Sequence, residues 1–174
     1  LNVTEVHLLN RELKQRDRIL TQSGNIAMIG GWEYDVKNEK FNLTDEIYSI
    51  HEREKMDFDV VQSTDYYIEE HRPIIKQYIN NLLKSGQNYD VELQLKTGKG
   101  NIKWIRSVGF AEWHNGQLTH IFGILQDINE KKEKDLILQE NERRFNTAFE
   151  LAPIGIGLLS PNGRWIKVNL ALSQ

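Results

Sequence analysis

The sequence predicts an α+β domain in which helices cover one face of an antiparallel sheet, and two observations carry this prediction. Apolar and polar residues alternate over residues 30–35 and again over 89–96, with the period of two that half-buried strands show, and turn residues at 98–100 and 114–116 separate two further strands. Residues 44–86, between these regions, carry apolar side chains at helical spacing instead. Strands that flank a helical segment are typical of the α+β class, in which the helices pack together on the sheet.

The composition limits both the size and the function of the protein. The chain has 174 residues, and 39% of them are hydrophobic, which is enough for one core with appendages. Its net charge of -3 comes from interspersed acids and bases, so we expect no nucleic-acid partner. Cysteine is absent, which removes disulfides, thiolate metal sites and cysteine nucleophiles together.

Neither a membrane span nor a signal peptide is indicated. No apolar run reaches the roughly 18 residues of a membrane-spanning helix, and residues 1–5 lack the basic start of a signal peptide. We expect a cytoplasmic piece of a longer protein, without direct membrane contact.

Residues 1–22 predict an amphipathic helix. Its apolar stripe includes Leu9, Leu13 and Leu20, and neither Gly nor Pro interrupts it. Two heptads with one polar seam position are a short coiled-coil signal. The helix therefore either lies on its own domain or forms a dimer seam.

Residues 23–128 predict the main domain, which opens with a hairpin and a short helix. Trp32 and Tyr34 share one face of the first strand, and the chain then turns back into a short second strand. Thr44 is the predicted N-cap of a helix that carries Tyr48.

The most strongly indicated helix of this domain starts at Pro73 and ends at Gly86. Its apolar stripe includes Ile75 and Ile79. Proline suits the first turn of a helix and glycine suits the position just after its end. Short helices are also expected over 52–68.

Three strands follow as an antiparallel meander, with turns at 98–100 and 114–116. The last two strands are apolar on both faces: Trp104, Val108 and Phe110 oppose Ile105, Ser107 and Gly109, and Phe122 and Ile124 oppose Leu125. Such a sheet must be covered on both faces. The helices can cover one face, which leaves the N-terminal helix or a second copy of the chain for the other.

Residues 129–148 predict a linker helix rich in Glu and Lys, and residues 149–174 predict the start of a second domain. The second region follows the order strand, turn, strand. Two strands without the rest of their sheet are marginal. We therefore expect residues 154–174 to be disordered or to borrow an edge from another chain.

An internal repeat links the two strand regions. Gly31 matches Gly157 at an offset of 126 residues, and Asn42 matches Asn169 at an offset of 127. Both regions have the order helix, strand, turn, strand, helix start. The chain is therefore predicted to hold one complete module and the beginning of another.

Several short sequence motifs occur in an order that resembles a PAS sensory domain over roughly residues 22–130. The motifs are GWEYD (31–35), TDEIY (44–48), GNIKWI (100–105) and GILQDI (123–128). Residues 149–174 resemble the opening of a second such domain. The resemblance implies a five-stranded antiparallel sheet with helices on one face, a pocket between them, and signalling helices flanking the domain at both ends.

The resemblance and the residue pattern together predict three groups of functional residues. The possible small-ligand pocket comprises Trp32, Tyr34, Tyr48, Ile75, Ile79, Leu93, Leu95, Ile105, Ser107, Gly109 and Leu125. The signal-transmission group comprises Asp127, Ile128 and Lys131. The dimer or helix-packing face comprises Leu9, Leu13, Leu20, Trp104, Val108, Phe110, Phe122 and Ile124.

We expect neither a cofactor nor a metal. Flavin adduct chemistry needs a cysteine, and Leu125 stands where flavin-binding relatives have Gln. His71 falls about one helical turn from the haem-ligand position of relatives, and the other histidines lack metal-site spacing. Trp32 and Tyr34 are large enough to fill most of the pocket, so we expect a colourless protein with room for at most a small ligand.

The sequence lacks the motifs of an enzyme, including a phosphate-binding loop, H-E-x-x-H and a nucleophile elbow. The resemblance implies a sensory input and dimerisation module of a histidine kinase or a cyclic-dinucleotide enzyme. Asp127 is expected to pair with Lys131, Lys132 or Arg106 and to pass a change into the linker helix. The alternative is a ligand-free scaffold that serves only protein–protein interaction.

Overall fold

A computed structural model describes residues 27–55 and 63–173, together with Arg11 and Gln15. The predicted stripe of Leu9, Leu13 and Leu20 lies outside the described residues. The chain divides into two compact units, Leu1–Asn129 and Glu130–Gln174.

The first unit contains a five-stranded antiparallel sheet, as the sequence predicted. Its strands are β1 (Ile29–Asp35), β2 (Lys40–Leu43), β3 (Tyr89–Lys96), β4 (Ile102–His114) and β5 (Gln117–Asp127). The spatial order is β2-β1-β5-β4-β3, so the first and last strands of the domain lie side by side. The register pairs Trp32 with Gly123 and Ser107 with Leu125.

In the described part of the connection between the second and third strands there are three helical segments. They are α1 (Asp45–Ile50), a 3-10 helix (Thr64–Tyr66) and α2 (Arg72–Ser85). Pro73 stands in the first turn of α2, and Gly86 ends it in the left-handed conformation (φ 69°), where the Gly86 amide donates to the Leu82 carbonyl. Both boundary predictions for this helix are confirmed.

Thr44 occupies the N-cap position of α1, as predicted, but its side chain does not cap the helix. Its Oγ1 accepts a hydrogen bond from the Gly31 N–H at 3.1 Å, and its own amide donates to the Gly31 carbonyl at 3.0 Å. The threonine therefore fastens α1 to β1.

The core of the first unit lies between the inner face of the sheet and the helices. Its most deeply buried side chains are Ile50, Ile75, Leu82, Leu95, Ile105 and Ile121. Full burial of one such side chain contributes about 1.5–3 kcal/mol. On the outer face Phe110 and Phe122 remain 40% and 41% exposed.

The second unit consists of α3 (Asn129–Leu151, which begins at the last residue of the first unit), β6 (Gly157–Leu159), β7 (Trp165–Val168) and α4 (Leu170–Ser173). The expectation of disorder does not hold for residues 154–173, where β6 and β7 pair with each other, and an edge borrowed from another chain stays a prediction. Asn169 explains this order, because its fully buried side chain accepts the Ile156 and Leu172 amides and donates to the Ile154 carbonyl.

Within the described ranges, no helix is both long enough and apolar enough to cross a membrane.

Candidate functional site

A cavity of about 70 Å³ lies in the first unit between the inner face of the sheet and helices α1 and α2. Its walls are Trp32, Phe41, Leu43, Ile47, His51, Ser63, Tyr67, Ile75, Ile79, Tyr89, Ser107, Ile121 and Leu125. Pockets for drug-sized ligands usually measure about 300–1,000 Å³. The cavity therefore fits only a molecule of a few non-hydrogen atoms.

Two aromatic rings account for the small volume. A Cβ added at Gly109 would lie 2.4 Å from the Tyr89 ring, and one added at Gly123 would lie 2.7 Å from the Trp32 ring. The space that these glycines leave on the sheet is thus filled by neighbouring aromatics. This agrees with the expectation that Trp32 fills much of the pocket.

The hydroxyl groups of Tyr67, Tyr89 and Ser107 lie together on the cavity wall, which also carries the polar residues Ser63 and His51. The Ser107 hydroxyl lies 3.3 Å from the Tyr89 hydroxyl and also hydrogen bonds the Tyr67 phenol. Burial raises the pKa of both phenols, that of Tyr89 to about 12. Both tyrosines are therefore uncharged at neutral pH.

The cavity wall also contains the imidazole ring of His51, which is buried. Its Nδ1 lies 2.8 Å from the Ile47 carbonyl oxygen. Because a carbonyl only accepts, Nδ1 carries the proton. Burial lowers the pKa of His51, and the charges of Arg53 and Lys103 lower it further, so the ring is neutral at neutral pH.

The structure brings some of the predicted pocket residues to the cavity and places others elsewhere. Trp32, Ile75, Ile79, Ser107 and Leu125 line it. The remaining predicted residues do not: Leu93, Leu95 and Ile105 are packed in the core, Gly109 lies under Tyr89, Tyr34 packs on Phe41 with ring centroids 5.5 Å apart, and Tyr48 is half-buried on α1.

Sequence reasoning missed several wall residues. Ile47 and His51 lie four residues apart on one face of a helical turn, a spacing that could have identified them. Tyr89 lies four residues before the inward-facing Leu93 on the same strand. The two side chains therefore share a face, and Tyr89 could have been assigned to the inner face. Tyr67 lies in an isolated bridge to Leu95, where no periodic signal exists.

An ion-pair network lies at the end of the sheet where α3 begins. The Lys103 ammonium lies 3.1 Å from Asp127 Oδ2 and 3.8 Å from Glu52 Oε1. The three side chains are 13% to 21% exposed. Glu52 also accepts hydrogen bonds from Thr97 and Asn101, which lower its pKa.

The sequence predicted Lys131, Lys132 or Arg106 as the partner of Asp127, whereas the structure pairs Asp127 with Lys103. Arg106 forms a bidentate salt bridge with Asp90 on the opposite face of the sheet, where both side chains are exposed. Successive residues of a strand point to opposite faces, so Lys103 shares the face of Ile105 while Arg106 does not. Lys103 therefore supplies the charge that meets Asp127.

The junction between β5 and α3 is held by short local contacts. Asp127 Oδ1 accepts the Asn129 N–H at 3.0 Å, as a capping carboxylate does. Asn129 Oδ1 accepts the Trp104 N–H at 2.7 Å, and the buried Ile128 donates its N–H to the Trp104 carbonyl. Lys131 follows in the first turn of α3.

The predicted dimer face is uneven. Phe110 and Phe122 pack together with ring centroids 5.7 Å apart and stay partly exposed, and Ile124 is half-buried. Val108 is 7% exposed, and the Trp104 ring lies 5.9 Å from His71.

His71, the residue weighed as a haem ligand, stands at the N-cap of α2 and outside the cavity wall. Its Nδ1 accepts the Gln94 N–H at 2.8 Å and so binds the edge of β3. Among the described residues, no three His, Asp or Glu side chains are grouped as a metal site.

Comparison with known proteins gives one curated relative and many solved structures. No family model matches the chain. The uncharacterized protein y4lL of Sinorhizobium fredii is 29% identical over 82 residues, a stretch that makes up 47% of this chain and 10% of y4lL. The match thus spans a small part of that relative.

Solved structures with similar backbones carry names of sensory proteins. A sensory box histidine kinase/response regulator from Burkholderia thailandensis has a TM-score of 0.56 at 20% identity, over 74% of this chain and 98% of that one. The N-terminal domain of a diguanylate cyclase with PAS/PAC sensor from Marinobacter aquaeolei gives 0.55 at 14%, over 60% and 98%. A PAS domain from Colwellia psychrerythraea gives 0.51 at 17%, over 68% and 98%. The five-stranded sheet and its helices therefore have the PAS-domain fold.

Proposed function

We propose that the PAS-fold unit is a non-catalytic input module of a signalling protein whose output domain is a histidine kinase or a cyclic-dinucleotide enzyme. The names of the similar structures from Burkholderia thailandensis and Marinobacter aquaeolei support this class of function. In the proposed mechanism, a change at the cavity reaches α3 through the chain's own ion pairs.

The observation that carries the proposal is the continuity from the cavity wall to α3. His51 lines the cavity, and the next residue, Glu52, pairs with Lys103. Lys103 pairs with Asp127, whose other carboxylate oxygen accepts the first amide of α3, that of Asn129. A displacement of His51 would move Glu52 and so change the distances from the Lys103 ammonium to the Glu52 and Asp127 carboxylates.

The energy available to this route exceeds that of an ordinary surface pair. Exposed ion pairs contribute about 0.2–1 kcal/mol. Lys103 and Asp127 are mostly buried, so leaving either charge without its partner costs about 1–3 kcal/mol. A shift of that size moves a two-state equilibrium about fivefold to 150-fold.

The test uses a change of cavity volume as the stimulus. Ile79→Ala enlarges the cavity from α2, and amide NMR of the full chain follows Ile128, Asn129 and the first turn of α3. We expect the Ile79→Ala change to shift these amides in the wild-type background and to lose that effect when combined with Lys103→Met.

The matched control is Arg106→Met, which removes a cation from the same strand on the outer face. The Ile79→Ala shifts should survive in that background. If they survive equally in the Lys103→Met background, the cavity does not act through Lys103 and the proposed route is wrong.

A second candidate function is a dimerisation scaffold, favoured by the exposed Phe110 and Phe122 pair on the outer face. Like the first candidate, it includes a homodimer. The mass of the full chain by sedimentation should depend on concentration and should fall to the monomer value in Phe110→Glu. A concentration-dependent dimer without any cavity effect on α3 would favour the scaffold.

The second unit, in our proposal, is the start of another module of the same fold, and its hairpin supports this. Gly31 and Thr44 exchange two hydrogen bonds, and Ile156 and Asn169 exchange the same two. A Cβ at Gly30 would meet Ile47, and a Cβ at Gly155 would meet Leu172. Each position corresponds to the one 125 residues later.

The strand register gives the same offset. Trp32 pairs with Leu43 in the first hairpin, and Gly157 pairs with Val168 in the second. The offsets of 126 and 127 that sequence identities indicated are thus corrected to 125, because Gly31 corresponds to Ile156 and not to Gly157. Identity at single positions was a poor guide to the register.

A further inference from the structure

The three hydroxyls of the cavity wall cannot use all their hydrogens among themselves. Tyr67, Ser107 and Tyr89 carry three O–H donors, but they make only two mutual contacts, both at Ser107. Each contact uses one hydrogen. One donor is therefore left over in every arrangement of these mutual contacts.

The leftover donor lies on the cavity wall, because all three residues line it. A buried donor without an acceptor is costly, so the site favours an occupant that carries an accepting oxygen. Apart from Ser63 and His51, the remaining wall is aliphatic and aromatic. Such a wall favours a small apolar body next to that oxygen.

Charged occupants are disfavoured. The wall contains no Asp, Glu, Lys or Arg among the described residues, and its one histidine, His51, is neutral at neutral pH. A carboxylate or an ammonium would lose its hydration without gaining a counter-ion.

The volume sets the size of the occupant. A dry cavity of about 150 Å³ holds benzene, so the cavity of about 70 Å³ has room for roughly half as many non-hydrogen atoms, three or four. For a molecule this small, the dissociation constant is expected to be no tighter than about tens of micromolar.

We propose that the cavity binds a small uncharged molecule with one hydrogen-bond-accepting oxygen, such as a short-chain ketone, alcohol or amide, through the Tyr67, Ser107 and Tyr89 hydroxyls. The inference rests on the proposed function, since it names the class of stimulus that the cavity would sense.

The test is a titration of the full chain followed by the ¹³C-methyl signals of isoleucine. Ile47, Ile75, Ile79 and Ile121 line the cavity, whereas Ile102 and Ile166 are exposed and serve as internal controls. Acetone and 1-propanol should give saturable shifts of the cavity methyls only. Acetate and ethylammonium, of similar size but charged, should not.

Isobutene has the shape of acetone without its oxygen and isolates the hydrogen bond. In the triple variant Tyr67→Phe, Tyr89→Phe, Ser107→Ala, which removes every hydroxyl of the trio together, the ratio of acetone to isobutene affinity should fall about tenfold. Tyr78→Phe is the matched control: its ring packs on Tyr89 outside the cavity wall, so the ratio should not change.

Three results would overturn the ligand class: no cavity shift with any neutral probe at millimolar concentration, charged probes that bind as well as neutral ones, or an affinity ratio that the triple variant leaves unchanged. The wild-type comparison of neutral and charged probes needs no variant to fold. A cavity that binds acetone but leaves the Ile128 and Asn129 amides unmoved would retain the ligand class and reject the input function.

Discussion

The two β-hairpins of this chain, β1–β2 and β6–β7, make the same local hydrogen bonds but differ in the elements that pack around them. In the first, β1 pairs with β2 on one side and with β5 on the other, and Trp32 packs into the core. In the second, β6 and β7 form a sheet of two strands, and the Trp165 side chain is 63% exposed. The same local exchange of hydrogen bonds therefore occurs with and without a completed sheet.

The difference separates local from long-range contributions to stability. The β1–β2 hairpin gains most of its order from β5, a strand more than eighty residues later in the chain. The β6–β7 hairpin depends on contacts within about fifteen residues, centred on Asn169. Substitutions at matched positions should therefore have unequal effects in the two units.

The largest contrast is expected between two glycines that face tryptophans. A Cβ at Gly123 would lie 1.9 Å from the Val108 carbonyl oxygen, a backbone atom that cannot move away. A Cβ at Gly157 would meet only the ring of the exposed Trp165, at 2.2 Å, and this ring can rotate. Gly123→Ala should lower the free energy of unfolding of the first unit by more than about 4 kcal/mol.

Gly157→Ala should cost the second unit less than about 1 kcal/mol, because an exposed side chain relaxes freely. Urea unfolding, followed by methyl signals of Ile75 in the first unit and Ile166 in the second, measures both values. Equal losses at the two positions would show that the hairpins are supported in the same way.

A second contrast concerns the residues that exchange hydrogen bonds with the strand. Asn169→Ala removes an acceptor for the Ile156 and Leu172 amides and a donor to the Ile154 carbonyl, at a fully buried site. This should cost about 2–4 kcal/mol. Thr44→Ala removes one hydrogen bond at an exposed residue and should cost about 0.5–1.5 kcal/mol.

Amide hydrogen exchange of Ile156 in one variant and of Gly31 in the other measures these losses separately. Protection of Ile156 that persists in Asn169→Ala would mean that β6 is held by something other than this side chain.

A third contrast compares two cations of one strand. Lys103→Met breaks the mostly buried pairs with Asp127 and Glu52 and should cost the first unit about 1–3 kcal/mol. Arg106→Met breaks an exposed pair with Asp90 and should cost about 0.2–1 kcal/mol. Urea unfolding at low and at high salt tests both, because salt screens the exposed pair more strongly. An equal cost for the two variants would contradict the difference in burial.

Much of the first unit follows from periodicity, and the exceptions have physical causes. The alternation groups Trp32 with Tyr34, and the resemblance to flavin-binding relatives placed Trp32 and Ser107 on the inner face, where the structure has them. The alternation of side chains along a strand could also have paired Lys103 with Asp127. Lys103 lies two residues from the inward-facing Ile105, and Asp127 lies two residues from the inward-facing Leu125, so both are on the same face of the sheet. Tyr67 could not be assigned, because it joins the sheet through a single bridge and its contacts are set by tertiary packing.

The second unit was harder to predict because its order depends on a single side chain. A two-stranded sheet has marginal stability on its own. The sequence pattern of residues 154–174 does not indicate that the Asn169 side chain makes three hydrogen bonds at a buried site. The repeat was visible, and its true register is marked by Ala27, Ile29 and Gly30, which match Ala152, Ile154 and Gly155. Backbone pairing in the two hairpins gives the same register.

The smallest contrast is in the response to pH, and it depends on histidine. His51 is buried and neutral in the first unit, with its pKa lowered from 6.5, whereas residues 130–174 contain no histidine. Below pH 6.5 the unfolded chain takes up a proton that the folded unit resists, so the unfolded state binds more protons and folding stability falls as pH decreases. The loss runs from pH 6.5 down to the lowered pKa of the folded state.

The first unit should therefore lose stability between neutral and mildly acidic pH while the second stays nearly constant. His51→Asn keeps a donor for the Ile47 carbonyl but cannot take up a proton, so it should flatten the response of the first unit. Urea unfolding at several pH values, read from Ile121 and Ile166, measures both units in one sample. A pH response that His51→Asn leaves unchanged would show that His51 is not the group responsible for it.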